Sequence, residues 1–177
     1  RIPNKKSPLT ACSPPSSVLH PSIWVSVLGQ FLIQSFCSIV ATRKAKVYLG
    51  EGFSVEELGG VTQFKPNVVT NVVVLMALAE QAAVLLANYK GDPFMTPISK
   101  VPLLQATVFL LLGGGLALLS EAFRPLNRLL NMAEFSSSDL KGWTLGAMLF
   151  CVFGSLAWDR IAVFVFDERL WKERRSR

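Results

Sequence analysis

Two acidic residues, Glu80 and Asp159, fall inside stretches that are otherwise apolar, and they are the side chains best placed to do chemistry. A carboxylate inside a bilayer is expensive, so it is a candidate for cation coordination or proton relay by default. Glu80 lies near the middle of its stretch, beside Gln81. It either serves such a pathway or is architectural, held protonated or paired with Gln81 or with a helix outside this chain. No second intramembrane carboxylate lies at an obvious ligand spacing from it. Asp159 precedes Arg160, and consecutive helical residues point about 100° apart, so the two need not pair. Arg160 can snorkel toward headgroups. Asp159 then needs a partner on another helix or loop. Gln30 and Gln34, spaced i, i+4, share one helix face. They either line a polar pathway or make interhelical hydrogen bonds worth about 1 kcal/mol or less.

Other chemistries are poorly supplied. The cysteines Cys12, Cys37 and Cys151 form no CxxC pair, and His20 is the single histidine. That spacing argues against a zinc site or a disulfide framework, and a thiol inside an apolar block usually packs as a small residue. The sequence has no GxxxxGK phosphate loop, no GxGxxG, no HExxH and no serine–histidine constellation around His20. No residue here is expected to be catalytic, to hold a cofactor or to bind a metal.

The polar residues must be positioned by helices. The 177 residues are 51% hydrophobic and 17% charged, with mean hydropathy +0.41, less charge than a soluble domain normally carries. The apolar residues collect in four blocks, near 23–42, 67–89, 102–119 and 142–166. Each has about the 20 residues that a helix needs to cross a hydrocarbon core of roughly 30 Å. The blocks are continuously apolar, without a period of two, so helices rather than a barrel are expected. The fold class is therefore all-α, a polytopic bundle of four transmembrane helices over 22–168. Residues 1–21, rich in proline, read as a connector, and 169–177 as a basic tail.

Local signals refine the blocks. The first ends at the basic stop Arg43, Lys44 and Lys46; Pro66 and Asn67 open the second; Pro102 opens the third. The run 136–139 can cap the fourth. Gly113, Gly114 and Gly115 predict a bend or a packing groove in the third block. Gly142 and Gly146 make a GxxxG at the mouth of the fourth. The net charge of +6 lies almost wholly outside the blocks, which fits a bilayer rather than nucleic acid as partner. The chain starts at Arg1, not Met, and is expected to be a piece of a longer protein.

One string is specific enough to compare. Asn88-Tyr89-Lys90-Gly91-Asp92-Pro93-Phe94-Met95, followed by Pro102-Leu103-Leu104, resembles the link between the eighth and ninth membrane helices of the P-type ATPases of the fifth class, A subgroup. Leu28-Gly29-Gln30-Phe31 is similar to that family's seventh helix. Phe64-x-Pro66 leads to Asn88-Tyr89 at a matching spacing, with Gln81 on a family glutamine. Ala157-Trp158-Asp159-Arg160 resembles a string of its last helix. The sequence departs from the pattern at Val101, at Glu80, where the family is apolar, and in the basic tail.

The resemblance implies the support bundle, helices seven to ten, of an endoplasmic-reticulum ATPase. Such proteins run an aspartyl-phosphate cycle on magnesium-ATP and extract misplaced transmembrane helices; older descriptions call them cation-transporting. The phosphorylated aspartate, nucleotide site and earlier helices would lie upstream of Arg1, so this chain alone would not be an enzyme. The family-motif positions, with structural roles, are Gln30, Gln81, Asn88, Tyr89, Gly91, Pro93, Phe94, Met95, Asp159 and Arg160. The competing reading is an independent four-helix membrane protein, a small carrier or assembly factor.

Loop charge predicts the topology. With four crossings, one side collects Arg1, Lys5, Lys6, Lys90, Lys100, Arg169, Lys172, Arg174, Arg175 and Arg177. The other collects only Arg43, Lys44, Lys46, Lys65, Arg124, Arg128 and Lys141. Positive-inside bias makes the first set, with both termini, cytosolic. Glycosylation acceptors placed near Gly52 and near Ser137 should be modified in microsomes; modification of an acceptor at Asp92 instead inverts the topology.

Overall fold

The computed structural model describes residues 21–49, 67–89, 96–135 and 137–166. The motif residues Gly91, Pro93, Phe94 and Met95, with connector residues 1–20, among them Cys12 and His20, and the basic tail, lie outside the described residues. The described elements are α1 (Pro21–Leu49), α2 (Val68–Asn88), a single 3-10 turn (Ile98–Lys100), α3 (Pro102–Ser120), α4 (Arg124–Leu129) and α5 (Ser138–Phe166). Among the described residues there is no strand, and α1, α2, α3 and α5 are each long and apolar enough to cross a membrane.

The ends follow capping chemistry. The Asn67 side chain accepts from the Thr70 amide at 2.8 Å and opens α2. Pro102 sits in the first turn of α3, where its missing N–H costs nothing. Two helices outrun the sequence reading. The basic stop was expected to close the first helix near Thr42, yet α1 continues to Leu49. Lys and Arg are good helix formers; leaving hydrocarbon does not break a helix, and the added turns still pack, since Ala45 is wholly buried. Likewise α5 starts at Ser138, not near Gly142, with Asp139 in its first turn, where the helix dipole favours an acid. At 29 residues, α1 and α5 are each about 43 Å long, more than a bilayer core needs, whereas α3 just spans it.

α5 is the hub. It packs along α1 and α2, α1 also packs on α2, and α3 joins chiefly through α2. Lipid is as apolar as leucine, so helices associate through close packing of small residues and through polar contacts. The core shows this: Cys37, Ala41 and Ala45 of α1 and Ala79 and Ala83 of α2 pack with Cys151 of α5, while Phe31, Leu32, Phe109 and Leu110 point outward. The glycine run of the third block does not interrupt α3. Only Gly115 is at a contact, where a Cβ would meet Met148 Cε at 3.1 Å; Gly114 has open space. Gly142 and Gly146 also face open space, so they make no helix–helix contact among the described residues.

The segment between α3 and α5 is tied down by side chains the sequence reading passed over. Asn71 donates from Nδ2 to the Ala133 carbonyl at 2.6 Å and accepts from its amide at 3.3 Å. Glu121, in the left-handed region at φ 55, accepts from the Phe135 amide at 2.7 Å and pairs with Lys141 at 2.9 Å. Asn127 donates to the Leu118 carbonyl at 3.2 Å.

Burial pushes the Glu121 carboxyl up, but the hydrogen bond from Lys141, that from Phe135 and the charges of Lys141 and Arg124 outweigh it and leave its pKa lowered. A depressed carboxylate contributes stability above its unfolded pKa of about 4.3 and loses it as pH falls through the folded value. Thermal unfolding in detergent should therefore drop in Tm on acidification below about pH 4. Glu121→Gln should lower stability at neutral pH by about 1 kcal/mol or less for a part-exposed pair, reducing Tm, and flatten that acid limb. An unchanged acid limb in Glu121→Gln would assign the dependence to another group.

Candidate functional site

α1 and α5 run antiparallel. Contacts that step forward along α1 step backward along α5: Ser26 to Asp159, Gly29 to Trp158, Ile33 to Gly154, Cys37 to Cys151, Lys44 to Trp143 and Tyr48 to Asp139. The polar residues singled out by type lie along this seam.

At the Pro21 end of α1 a buried chain of three side chains crosses the seam. The Gln30 amide donates to Ser26 Oγ at 2.9 Å, and Ser26 donates to Asp159 Oδ1 at 2.7 Å. All three residues are at most 4% exposed. Asp159 thus has the interhelical partner its position demanded, and Arg160 points outward, exposed. The interhelical bond is made by Ser26, not by a glutamine; Gln30 acts one step back, fixing the Ser26 hydroxyl. Gln34 is not part of that hydrogen-bonded series, and its Nε2 has no hydrogen-bond partner among the described residues.

Next to this chain the backbones come close. Trp158 Nε1 donates to the Val25 carbonyl of α1 at 2.9 Å, and the indole lies flush on Gly29. A Cβ at Gly29 would stand 1.7 Å from Nε1 and 2.1 Å from Cε2 of Trp158. Only glycine fits. Ser26 and Trp158 were missed because nothing in their types marks them. The one available signal was the spacing of Ser26, Gln30 and Gln34 at i, i+4, i+8, a polar stripe that starts one turn earlier than the glutamines.

At mid-depth Glu80 of α2 lies against Ser38 of α1. Gln81, its expected partner, points outward, since neighbours on a helix face apart. The Cys37 and Cys151 thiols lie next to each other beside Glu80. Among the described residues no three His, Cys, Asp or Glu side chains come close enough to hold a metal ion. Of the motif string, Asn88 ends α2, exposed, and the Tyr89 hydroxyl donates to the Thr96 carbonyl across the loop. The arrangement clamps helices together: Gln30, Ser26 and Asp159 are spent on one another.

No protein-family model matches the chain. It is similar to the probable manganese-transporting ATPase PDR2 of Arabidopsis thaliana, with 25% identity over 174 residues. The likeness is to a P-type ATPase. It covers 94% of this chain and 14% of that relative's length.

Gly29→Ala should force α1 off Trp158 and destabilise the bundle by about 1–3 kcal/mol, as overpacking does. Asp159→Ala leaves the buried Ser26 hydroxyl short of its acceptor, at about 1–3 kcal/mol. Glu80→Gln keeps a polar side chain against Ser38 and should cost less. Monodisperse yield and Tm in detergent should rank wild type, then Glu80→Gln, then the other two. Glu80→Gln falling below Asp159→Ala overturns the assignment of the main clamp to the Ser26 end.

Proposed function

We propose that this chain is the membrane-support region of a P-type ATPase, the last four helices that brace the moving helices of the parent protein against the bilayer. In this reading the parent uses ATP and magnesium in cytosolic domains upstream of Arg1. It resides in the endoplasmic reticulum with both termini of this region in the cytosol, and moves transmembrane segments, or cations, across or out of the membrane. The observation that carries the proposal is the Gly29–Trp158 contact with its Ser26–Asp159 bond. They lock the first helix to the last over a similarity that covers 94% of the chain. A brace must resist force without changing shape. Two bonds and a glycine-fitted ring at one end, with a small-residue seam beyond, suit that work better than they suit a carrier, which needs a cavity that opens and closes.

The residues carry the proposal by what they join. Asn88 and Tyr89 close the α2 end of the loop that leads to α3, Gln30 orients Ser26, and Asp159 receives its hydroxyl. Glu80 is architectural here, packed against Ser38.

The transcript upstream of Arg1 should encode a DKTGT phosphorylation motif and a GDGxND hinge motif. The full-length protein should form a phosphoenzyme from magnesium-ATP, and the isolated chain should hydrolyse no ATP above background. Asp159→Ala and Glu80→Gln should leave phosphoenzyme per folded molecule within about twofold, a difference of under 1 kcal/mol. An in-frame Met shortly upstream without those motifs, or magnesium-dependent turnover by the pure chain, defeats the proposal. Normal folding of Glu80→Gln with loss of substrate-stimulated turnover makes Glu80 a transport residue instead.

A further inference from the structure

Beside the far end of the same seam α1 and α5 leave an open groove of about 540 Å³ between them, within the range of about 300–1,000 Å³ typical of ligand clefts. Phe36 and Val40 of α1 and Trp143, Gly146, Ala147 and Phe150 of α5 line it. Its floor is formed by the two glycines that face open space: a Cβ at Gly142 or Gly146 meets no heavy atom within 4 Å. One mouth is polar. Lys44 holds its ammonium 5.3 Å from the Trp143 ring centroid and 5.9 Å from that of Tyr48, and the Tyr48 hydroxyl donates to Asp139. Asp139, which also lines the groove, is a single acid there, and Lys44 with Arg43 and Lys46 on the same turn of α1 outnumber it.

Depth identifies the occupant. Lys44 lies 21 residues beyond Ile23, the first residue of the apolar span. That is about 32 Å along the helix, one hydrocarbon thickness, so Lys44 stands at headgroup level. From there the groove descends to Phe36, eight residues back along α1, and to Phe150, seven residues beyond Trp143. Both lie about 10–12 Å down, within a single leaflet of about 15 Å. A transmembrane helix would need a groove through both leaflets and would leave Lys44 without an anion. A phospholipid chain needs the depth of one leaflet, and its phosphate answers the ammonium.

We propose that the groove between α1 and α5 is a binding site for one anionic phospholipid of the surrounding bilayer, its acyl chain lying over Gly142 and Gly146 and its phosphate at Lys44. The lipid fills the space that the glycines leave, beside the α1–α5 seam at the end opposite the Ser26–Asp159 bond.

The test uses the full chain purified into mixed micelles of dioleoylphosphatidylcholine and dioleoylphosphatidylserine in equal amounts, with retained lipid read by native mass spectrometry after size exclusion. The wild type should retain a single phosphatidylserine in preference to phosphatidylcholine. Lys44→Gln should lower that preference about fivefold, the effect of one basic residue near an anionic headgroup. Gly146→Leu fills the groove where nothing else stands; it should retain no lipid while its elution and Tm in lipid-free detergent stay those of the wild type. Gly142→Leu serves the same purpose should Gly146→Leu elute as aggregate. Unchanged lipid retention in the filled-groove variant, or an unchanged preference in Lys44→Gln, overturns the proposal. So does a wild-type dimer that Gly146→Leu converts to monomer, since the groove is then an interface between two copies.

Discussion

Everything in this bundle hangs on how closely α1 can approach α5, and that distance is set where the Trp158 indole lies on the bare backbone of Gly29. The constraint is steric first, because even one methyl group at Gly29 has no room. It is also directional, because Trp158 donates to Val25 on the same helix and fixes the ring's angle. With the two backbones held there, Ser26 and Asp159 come within hydrogen-bond reach. The seam then runs on through Cys37 and Cys151 to Lys44 and Trp143. In water such an approach would be driven by burial of apolar area. In hydrocarbon that driving force is absent between helices, and contact geometry with a few polar bonds must do the selection.

The opposite end of the molecule solves a different problem. There the chain leaves α3, turns through Glu121 and Asn131, both at positive φ, and re-enters as α5. Buried backbone groups in such a segment need partners, and side chains supply them. Asn71 holds Ala133 from α2, and Glu121 reaches Phe135 and Lys141 from the end of α3. The loop is thereby stitched to the two helices that flank the start of α5, so the register of α5 is fixed at both ends: by loop anchoring at Ser138 and by Trp158 and Asp159 near its exit.

The sequence made the helices legible because bilayer thickness writes itself into block length, and because caps such as Asn67 and Pro102 are local signals. The helix ends at Arg43–Lys46 were not legible as ends. The basic cluster marks where the helix leaves hydrocarbon, which is a different event from where its hydrogen bonding stops. Asp159 was legible as a group needing a partner, since its cost is intrinsic to one residue and one depth. The partner was not, because Ser26 is 133 positions away and serine is common at helix interfaces. Gly29 was legible as part of a string but not as a contact point, since its role exists only once Trp158 is opposite it. Glu80 shows the converse: Gln81, its sequence neighbour, drew attention, while the three-dimensional partner Ser38 lay on another helix.

The distribution of polar groups with depth explains why such a seam holds without becoming a pathway. The strong acceptor, Asp159, lies seven residues from the end of α5, about 10 Å along the helix, close to the interface where an acid is cheapest to keep. Toward the middle the groups weaken to thiols and hydroxyls, Cys37, Ser38, Cys151 and Ser155. Ser155 is fully buried and its hydroxyl has no hydrogen-bond partner. An unpaired hydroxyl costs less than an unpaired charge, and a small side chain lets two backbones approach, which leucine would prevent. Glu80 is the exception at mid-depth, and it is only half-buried and lies against Ser38. A continuous polar path would need groups of comparable strength handing a charge from one to the next. Here strength falls off inward from Asp159, and the packing role of the small residues takes over where the bilayer would penalise a charge most.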